Sequence, residues 1–184
     1  MKKLLAAAAV AALVAPVAAN AQAYVQAQIG LDSVSADGES EEGFAYGVAA
    51  GYDIPLSEKM FAGIEFSADE SSTKQCVRDV FVIDDETCLK SGRDLAAVAR
   101  LGTNLSASAQ LYALAGYTNA RMRLTYDDGT FSDHIGQNLD GFRLGAGFKQ
   151  SLEGGTFLKV EYRYSNYESG ISRHNALAGF GISF

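Results

Sequence analysis

Along residues 157–167, FLKVEYRYSNY, apolar and polar side chains alternate without a break. Leu158, Val160, Tyr162 and Tyr164 fall on one parity; Lys159, Glu161, Arg163 and Ser165 fall on the other. A period of two describes a β-strand with one apolar and one polar face. Seven more segments carry the same pattern: YVQAQIGLDS (24–33), GFAYGVAAGYDI (43–54), MFAGIEFSAD (60–69), RDLAAVARLG (93–102), SAQLYALAGYTNARMRLTY (108–126), GFRLGAGFK (141–149) and NALAGFGISF (175–184). The fifth segment leaves its facing open, because Leu111 and Tyr117 on one parity and Tyr112 and Leu114 on the other all read apolar.

The connections between segments alternate in length. PLSEK, TNLSAS and SLEGGT follow the second, fourth and sixth segments, whereas VSADGESEE, the 70–92 stretch, DDGTFSDHIGQNLD and ESGISRH follow the others. Eight antiparallel strands with the short turns at one end and the long loops at the other satisfy that order. The predicted fold is therefore all-β: a closed, eight-stranded, up-and-down transmembrane β-barrel with short periplasmic turns and long extracellular loops.

A soluble barrel or sandwich alternates too, so the environment of each face has to be argued separately. The polar parity is rich in glycine (47, 51, 63, 145, 147, 179 and 181). Glycine weakens an exposed strand face but suits the narrow interior of eight strands. Aromatic residues close the apolar parity at strand ends (Phe44 and Tyr52, Phe142 and Phe148), as interfacial girdles do. Phe44 to Tyr52 spans roughly 26 Å of strand, enough for a tilted crossing. If the charged parity of 157–167 faced lipid, each Lys or Arg at mid-depth would cost about 2–4 kcal/mol against a total stability of roughly 5–15 kcal/mol. The register of this strand is thus expected to place charge inward.

The chain begins MKKLLAAAAVAALVAPVAANAQA: two lysines, an apolar run from Leu4 to Val14, and small residues with A-x-A patterns at Ala19–Ala21 and Ala21–Ala23. This reads as a secretory signal peptide over residues 1–23, with cleavage after Ala23 or, alternatively, Ala21, and a single barrel domain over 24–184. The run is too short, and too interrupted by Pro16, for an uncleaved anchor. No later apolar stretch is long enough for a membrane helix. A formal net charge of −7, more negative once Lys2 and Lys3 are removed, argues against nucleic acid. Nineteen glycines against two prolines fit a β-rich chain.

The closing stretch GFGISF, ending on Phe184, and the preceding VEYRYSNY (160–167) resemble the small outer-membrane β-barrel family that includes the OmpA barrel and OmpX, a porin-family barrel domain. The resemblance implies the outer membrane of a Gram-negative bacterium. It also implies that Phe180, Ile182 and Phe184 form a C-terminal signal read by the barrel-insertion machinery, with periplasmic chaperones as transient partners. No peptidoglycan-binding domain is expected after the barrel.

Several groups are candidates for chemistry. The inward parity is expected to carry Asp53, Glu65, Asp94, Arg100, Arg143, Lys149, Lys159, Glu161 and Arg163. Buried charges must pair, so a lumen network centred on Glu65, Arg100, Arg143, Lys159, Glu161 and Arg163 is expected to fill the barrel; a small porin-like pore is the alternative. Cys76 and Cys88, in an exported chain, are expected to form a disulfide. Val80, Phe81, Val82 and Ile83 lie inside that staple and read as one side of a hairpin, with an apolar binding surface at the loop tip as the alternative. His134 and His174 are the only histidines. SRHN (172–175) invites comparison with lipid A-modifying barrel enzymes, but the His-x-Ser-Asn pattern of that class is absent. The acidic groups Asp37, Glu39, Glu41, Glu42 and Asp127, Asp128 read as solvated loops rather than metal sites. The expectation is a non-enzyme without cofactor or metal, a monomer whose partners are outer-membrane lipid and lipopolysaccharide.

Overall fold

The computed structural model describes residues 22–36, 39–78, 86–127 and 132–184, and forms one closed antiparallel ladder. Its strands are β1 (Gln22–Ala36), β2 (Glu39–Pro55), β3 (Met60–Ser71), β4 (Lys74–Arg78), β5 (Glu86–Asn104), β6 (Ala109–Asp127), β7 (Ser132–Ser151), β8 (Thr156–Tyr167) and β9 (Ser172–Ser183). Each neighbour pair is antiparallel, and β1 pairs with β9 to close the ring, for example Ala27 with Phe180. The barrel has eight staves because β3 and β4 share one. β3 pairs with the lower part of β5 from Asp69–Asp94 downward, and β4 pairs with its upper part, Lys74 opposite Lys90. The sequence order of strands and the closed meander are as expected.

The alternation does what a barrel requires. On β8, Phe157, Lys159, Glu161, Arg163, Ser165 and Tyr167 are buried, whereas Leu158, Val160 and Tyr162 are about half exposed to the surroundings at 50%, 56% and 52%. Charge therefore faces the lumen and aliphatic surface faces outward. β6 resolves the same way: Tyr112, Leu114, Thr118, Ala120 and Met122 are buried, and Leu111 and Tyr117 are outward. Two glycines on the inner parity make room for lumen tyrosines. A Cβ at Gly51 would collide with the Tyr24 phenol, and one at Gly147 with the Tyr112 phenol.

β2–β3, β5–β6 and β7–β8 turn tightly at Leu56–Lys59, Leu105–Ser108 and Glu153–Gly155, where Gly154 and Gly155 take positive φ. Both the start of β1 and the end of β9 lie at this end, where the Phe184 N–H donates to the Ala23 carbonyl at 2.8 Å. Residues 1–21 lie outside the described residues. β1 begins at Gln22, which pairs with Asp53, so a cut after Ala23 would remove two ladder partners.

The opposite end departs from the sequence reading in one respect. Much of what reads as long loop is strand: β1 runs to Ala36, β2 begins at Glu39, β5 at Glu86 and β7 at Ser132, whereas β6 ends within one residue of its expected bound. The ladder continues above the apolar band, but there the outward parity is polar and apolar residues such as Val34 and Leu139 are buried inward, so the apolar face swaps sides and no longer extends the parity of the band. A register shift between Ser91 and Asp94 in β5 inserts one extra residue opposite β6. That bulge lets Ser91 and Asp94, of opposite parity, both point inward.

Candidate functional site: the charged lumen

Among the described residues, the buried charged side chains are six cations, Arg100, Arg143, Lys149, Lys159, Arg163 and Arg173, and six carboxylates, Asp32, Asp53, Glu65, Asp69, Asp94 and Glu161. Inward parity on successive strands stacks them in three tiers.

The middle tier is the most densely connected. Lys159 Nζ lies 3.1 Å from Glu65 and 3.2 Å from Glu161. The Arg163 guanidinium spans Glu161, Asp69 at 3.0 Å and Glu65 at 3.3 Å. Gln28 donates to Asp69 at 2.6 Å and accepts from Arg163 at 3.2 Å. The Tyr112 phenol, seated over Gly147, donates to Glu161. Each carboxylate here meets more than one donor, as a charge removed from water requires.

The upper tier centres on two aspartates. Arg173 binds Asp32 through two nitrogens at 2.7 and 2.9 Å and reaches Asp94 at 3.1 Å. Arg143 pairs with Asp94 and donates from Nε to Ser165 at 2.9 Å. The hydroxyls of Tyr167 and Thr118 also donate to Asp94, at 2.8 and 2.5 Å.

The lower tier, nearest the short turns, is sparser and more aromatic. Arg100 pairs with Asp53 at 2.9 Å and stacks over the Tyr112 ring, 4.0 Å from its centroid. The Tyr24 phenol accepts from Arg100 and donates to Glu65 at 2.6 Å, joining this tier to the middle one. Lys149 Nζ stands 4.0 Å from Asp53 and makes no hydrogen bond among the described residues. Two aromatic rings stand beside it, with the centroids of Phe157 and Tyr24 at 4.5 and 5.0 Å.

Glu65, Arg100, Arg143, Lys159, Glu161 and Arg163 all lie in this network, with Asp53, Asp94 and Lys149. Asp32, Asp69 and Arg173 are network members that the sequence reading did not single out as charges of the lumen. The first two stand on the polar parity of their segments. Arg173 is reached by extending the β9 parity from Gly181 and Gly179 through Asn175, and was hidden by the rim-like look of SRHN. Tyr24, Tyr112 and Tyr167 carry no such signal, because tyrosine is equally at home in an outward girdle.

The other candidates whose side chains are described are not members of this network. Cys76 and Cys88 are joined in a disulfide across β4 and β5. Phe180, Ile182 and Phe184 are exposed on the outward face. His174 faces outward between the Tyr162 and Tyr164 rings, 2.6 Å from the Tyr162 hydroxyl. Glu41 and Glu42 are exposed on β2. Residues 80–83, Asp37, Asp128 and the side chains of Glu39, Asp127 and His134 lie outside the described part. Among the described residues, no group of three or more His, Cys, Asp or Glu side chains is placed to hold a metal ion.

Residues 4–184 match the family model described as the outer membrane protein beta-barrel domain. No curated protein matches the chain significantly by sequence. Among solved structures, the chain is similar to Ail, the attachment invasion locus protein of Yersinia pestis, in complex with the heparin analogue sucrose octasulfate. The TM-score is 0.63 at 13% identity, over 90% of this chain and 99% of that one. It is also similar to Neisserial surface protein A (TM-score 0.60, 18% identity, 88% and 97% covered). A major outer membrane protein from Thermus thermophilus gives a TM-score of 0.59 at 12% identity, with 89% and 99% covered. At these identities the likeness concerns the fold.

Proposed function

The chain belongs to the outer membrane protein beta-barrel domain family, and on that premise we propose that it is a sealed, non-catalytic scaffold whose extracellular end is its working surface. The observation that carries this reading is the balance of the lumen: among the described residues, six buried cations face six buried carboxylates, tied across three tiers. An eight-stranded barrel has an interior just wide enough for side chains to fill. Opening a water path through it would require breaking ion pairs whose partners then stay buried and uncompensated, at about 3–5 kcal/mol for each broken pair.

The remaining parts of the reading follow from the same placement. The chain is exported behind a cleaved leader into the outer membrane of a Gram-negative bacterium. Phe180, Ile182 and Phe184, outward on the last strand, are the segment that the insertion machinery and periplasmic chaperones meet. Once inserted, the protein works as a monomer among outer-membrane lipid and lipopolysaccharide, with no nucleic-acid partner and no cofactor. The exposed Leu158, Val160, Phe180 and Ile182 support this, because such a surface suits hydrocarbon rather than water.

Solute flux through proteoliposomes tests the sealed reading. Vesicles carrying the folded protein are expected to leak small ions and sugars no faster than empty vesicles. Protein-dependent flux of either would overturn it in favour of a small pore.

A further inference from the structure

On the outward face above the apolar band, the register of the sheet sets basic residues side by side. Lys74 on β4 pairs with Lys90 on β5, and Lys90 pairs in turn with Arg123 on β6. All three are exposed, as are Arg93 in the β5 bulge and Arg121, the next outward position below Arg123. Like charges directly opposite each other across a ladder are destabilising, and the chain as a whole is acidic. The fold nevertheless holds this row in place. The Cys76–Cys88 disulfide joins β4 to β5 two residues beyond the Lys74–Lys90 pair on the same parity, and so keeps the two ammonium groups in register. Gly136, opposite Arg123 on β7, leaves space that the Arg121 guanidinium uses; a Cβ there would stand 3.0 Å from its Nη2.

Height relative to the membrane identifies the partner. Among the described side chains of β6, Tyr117 is the uppermost outward aromatic residue, and Arg121 lies four residues beyond it. That is about 13 Å of strand at ~3.3 Å per residue, or about 10 Å of height at a barrel tilt of ~40°. The headgroup zone occupies roughly 5–8 Å on each side of the hydrocarbon core, and long basic side chains bend back toward it. Arg93, two residues above outward Leu95, stands lower still. A strip at this level meets the phosphates of the surrounding leaflet, whereas a site for a soluble polyanion has no reason to hug the boundary. Among the described side chains, two outward carboxylates flank the strip: Glu70 on β3, and Asp140 on β7. Asp140 is already engaged by the Tyr117 hydroxyl and by Asn119 at 2.6 Å.

We infer that Lys90, Arg121 and Arg123, with Lys74 and Arg93 beside them, bind the phosphate groups of the phosphorylated glycolipid in the outer leaflet. This rests on the outer-membrane reading above, but not on the lumen being sealed, so flux measurements and the following test fail independently.

The test is native mass spectrometry of the folded protein, titrated with bisphosphorylated lipid A or with the same lipid stripped of both phosphates. The wild-type protein is expected to hold the phosphorylated lipid at least tenfold more tightly. The variant K90Q/R121Q/R123Q is expected to lose most of that preference while binding the stripped lipid unchanged. It removes mutual repulsion, so it should still fold, and a retained shift in gel mobility on boiling checks this. Equal binding of the two lipids by the wild type, or an unchanged preference in the folded variant, would overturn the inference. So would binding of a size-defined heparin fragment that depends on these residues while lipid A binding does not.

Discussion

The middle and lower tiers of the lumen use the same residue types to different ends. In the middle tier, Lys159 and Arg163 each touch at least two of Glu65, Asp69 and Glu161, and every carboxylate has a second donor. In the lower tier, Lys149 stands at the edge of ion-pair distance from Asp53 and leans on two aromatic rings. One tier is held by a multiply connected network, so losing a member strands several others. The other is held by packing around a loosely paired charge, so losing the charge strands little. A charge-balanced lumen need not be uniformly connected.

Three substitutions probe the difference between the tiers. The largest effect is expected from R163M, which leaves Glu65, Asp69 and Glu161 short of a donor. A loss of about 3–5 kcal/mol is expected for removing one partner of a buried network, measured by reversible unfolding in lipid vesicles. A loss below about 1 kcal/mol would mean that the network is not what holds this level. A smaller loss is expected from G147A. Its methyl group would press on the Tyr112 phenol that donates to Glu161, an overpacking cost of about 1–3 kcal/mol in the same assay. The smallest is K149M, whose apolar chain keeps the contacts to Phe157 and Tyr24. Replacing a poorly paired buried charge by an apolar residue of similar length is often neutral or stabilising, so its stability should stay within about 1 kcal/mol of wild type. A cost matching that of R163M would erase the distinction between the tiers.

Much of the barrel can be read directly from the chain, and the unread parts have physical reasons. Where one face meets lipid and the other meets paired charge, as in 157–167, the alternation is unambiguous and the register follows, since a slip of one residue would turn Lys159 and Arg163 to the hydrocarbon. β6 is opaque because Tyr112 and Leu114 fill the lumen beside small residues from neighbouring strands, and an apolar residue inside a narrow barrel looks like one outside it. The overhang of β1, β5 and β7 is opaque for another reason: outside it is polar while Val34 and Leu139 are buried inside, so the apolar face swaps sides and the parity set lower down does not continue. The bulge at Ser91–Asp94 hides a further point, because parity carried upward from Arg100 and Asp94 misplaces Ser91. The basic strip needs the ladder itself. Lys74, Lys90 and Arg123 are far apart in sequence and become neighbours only through the pairing of β4, β5 and β6.

Paired charges, in the function proposed above, close the lumen. Single-channel recording of the refolded wild-type protein in a planar bilayer tests this closure most directly. The expected result is a flat current trace at every applied voltage, indistinguishable from the protein-free membrane. Discrete, reproducible conductance steps from protein that is folded by its gel mobility would contradict it.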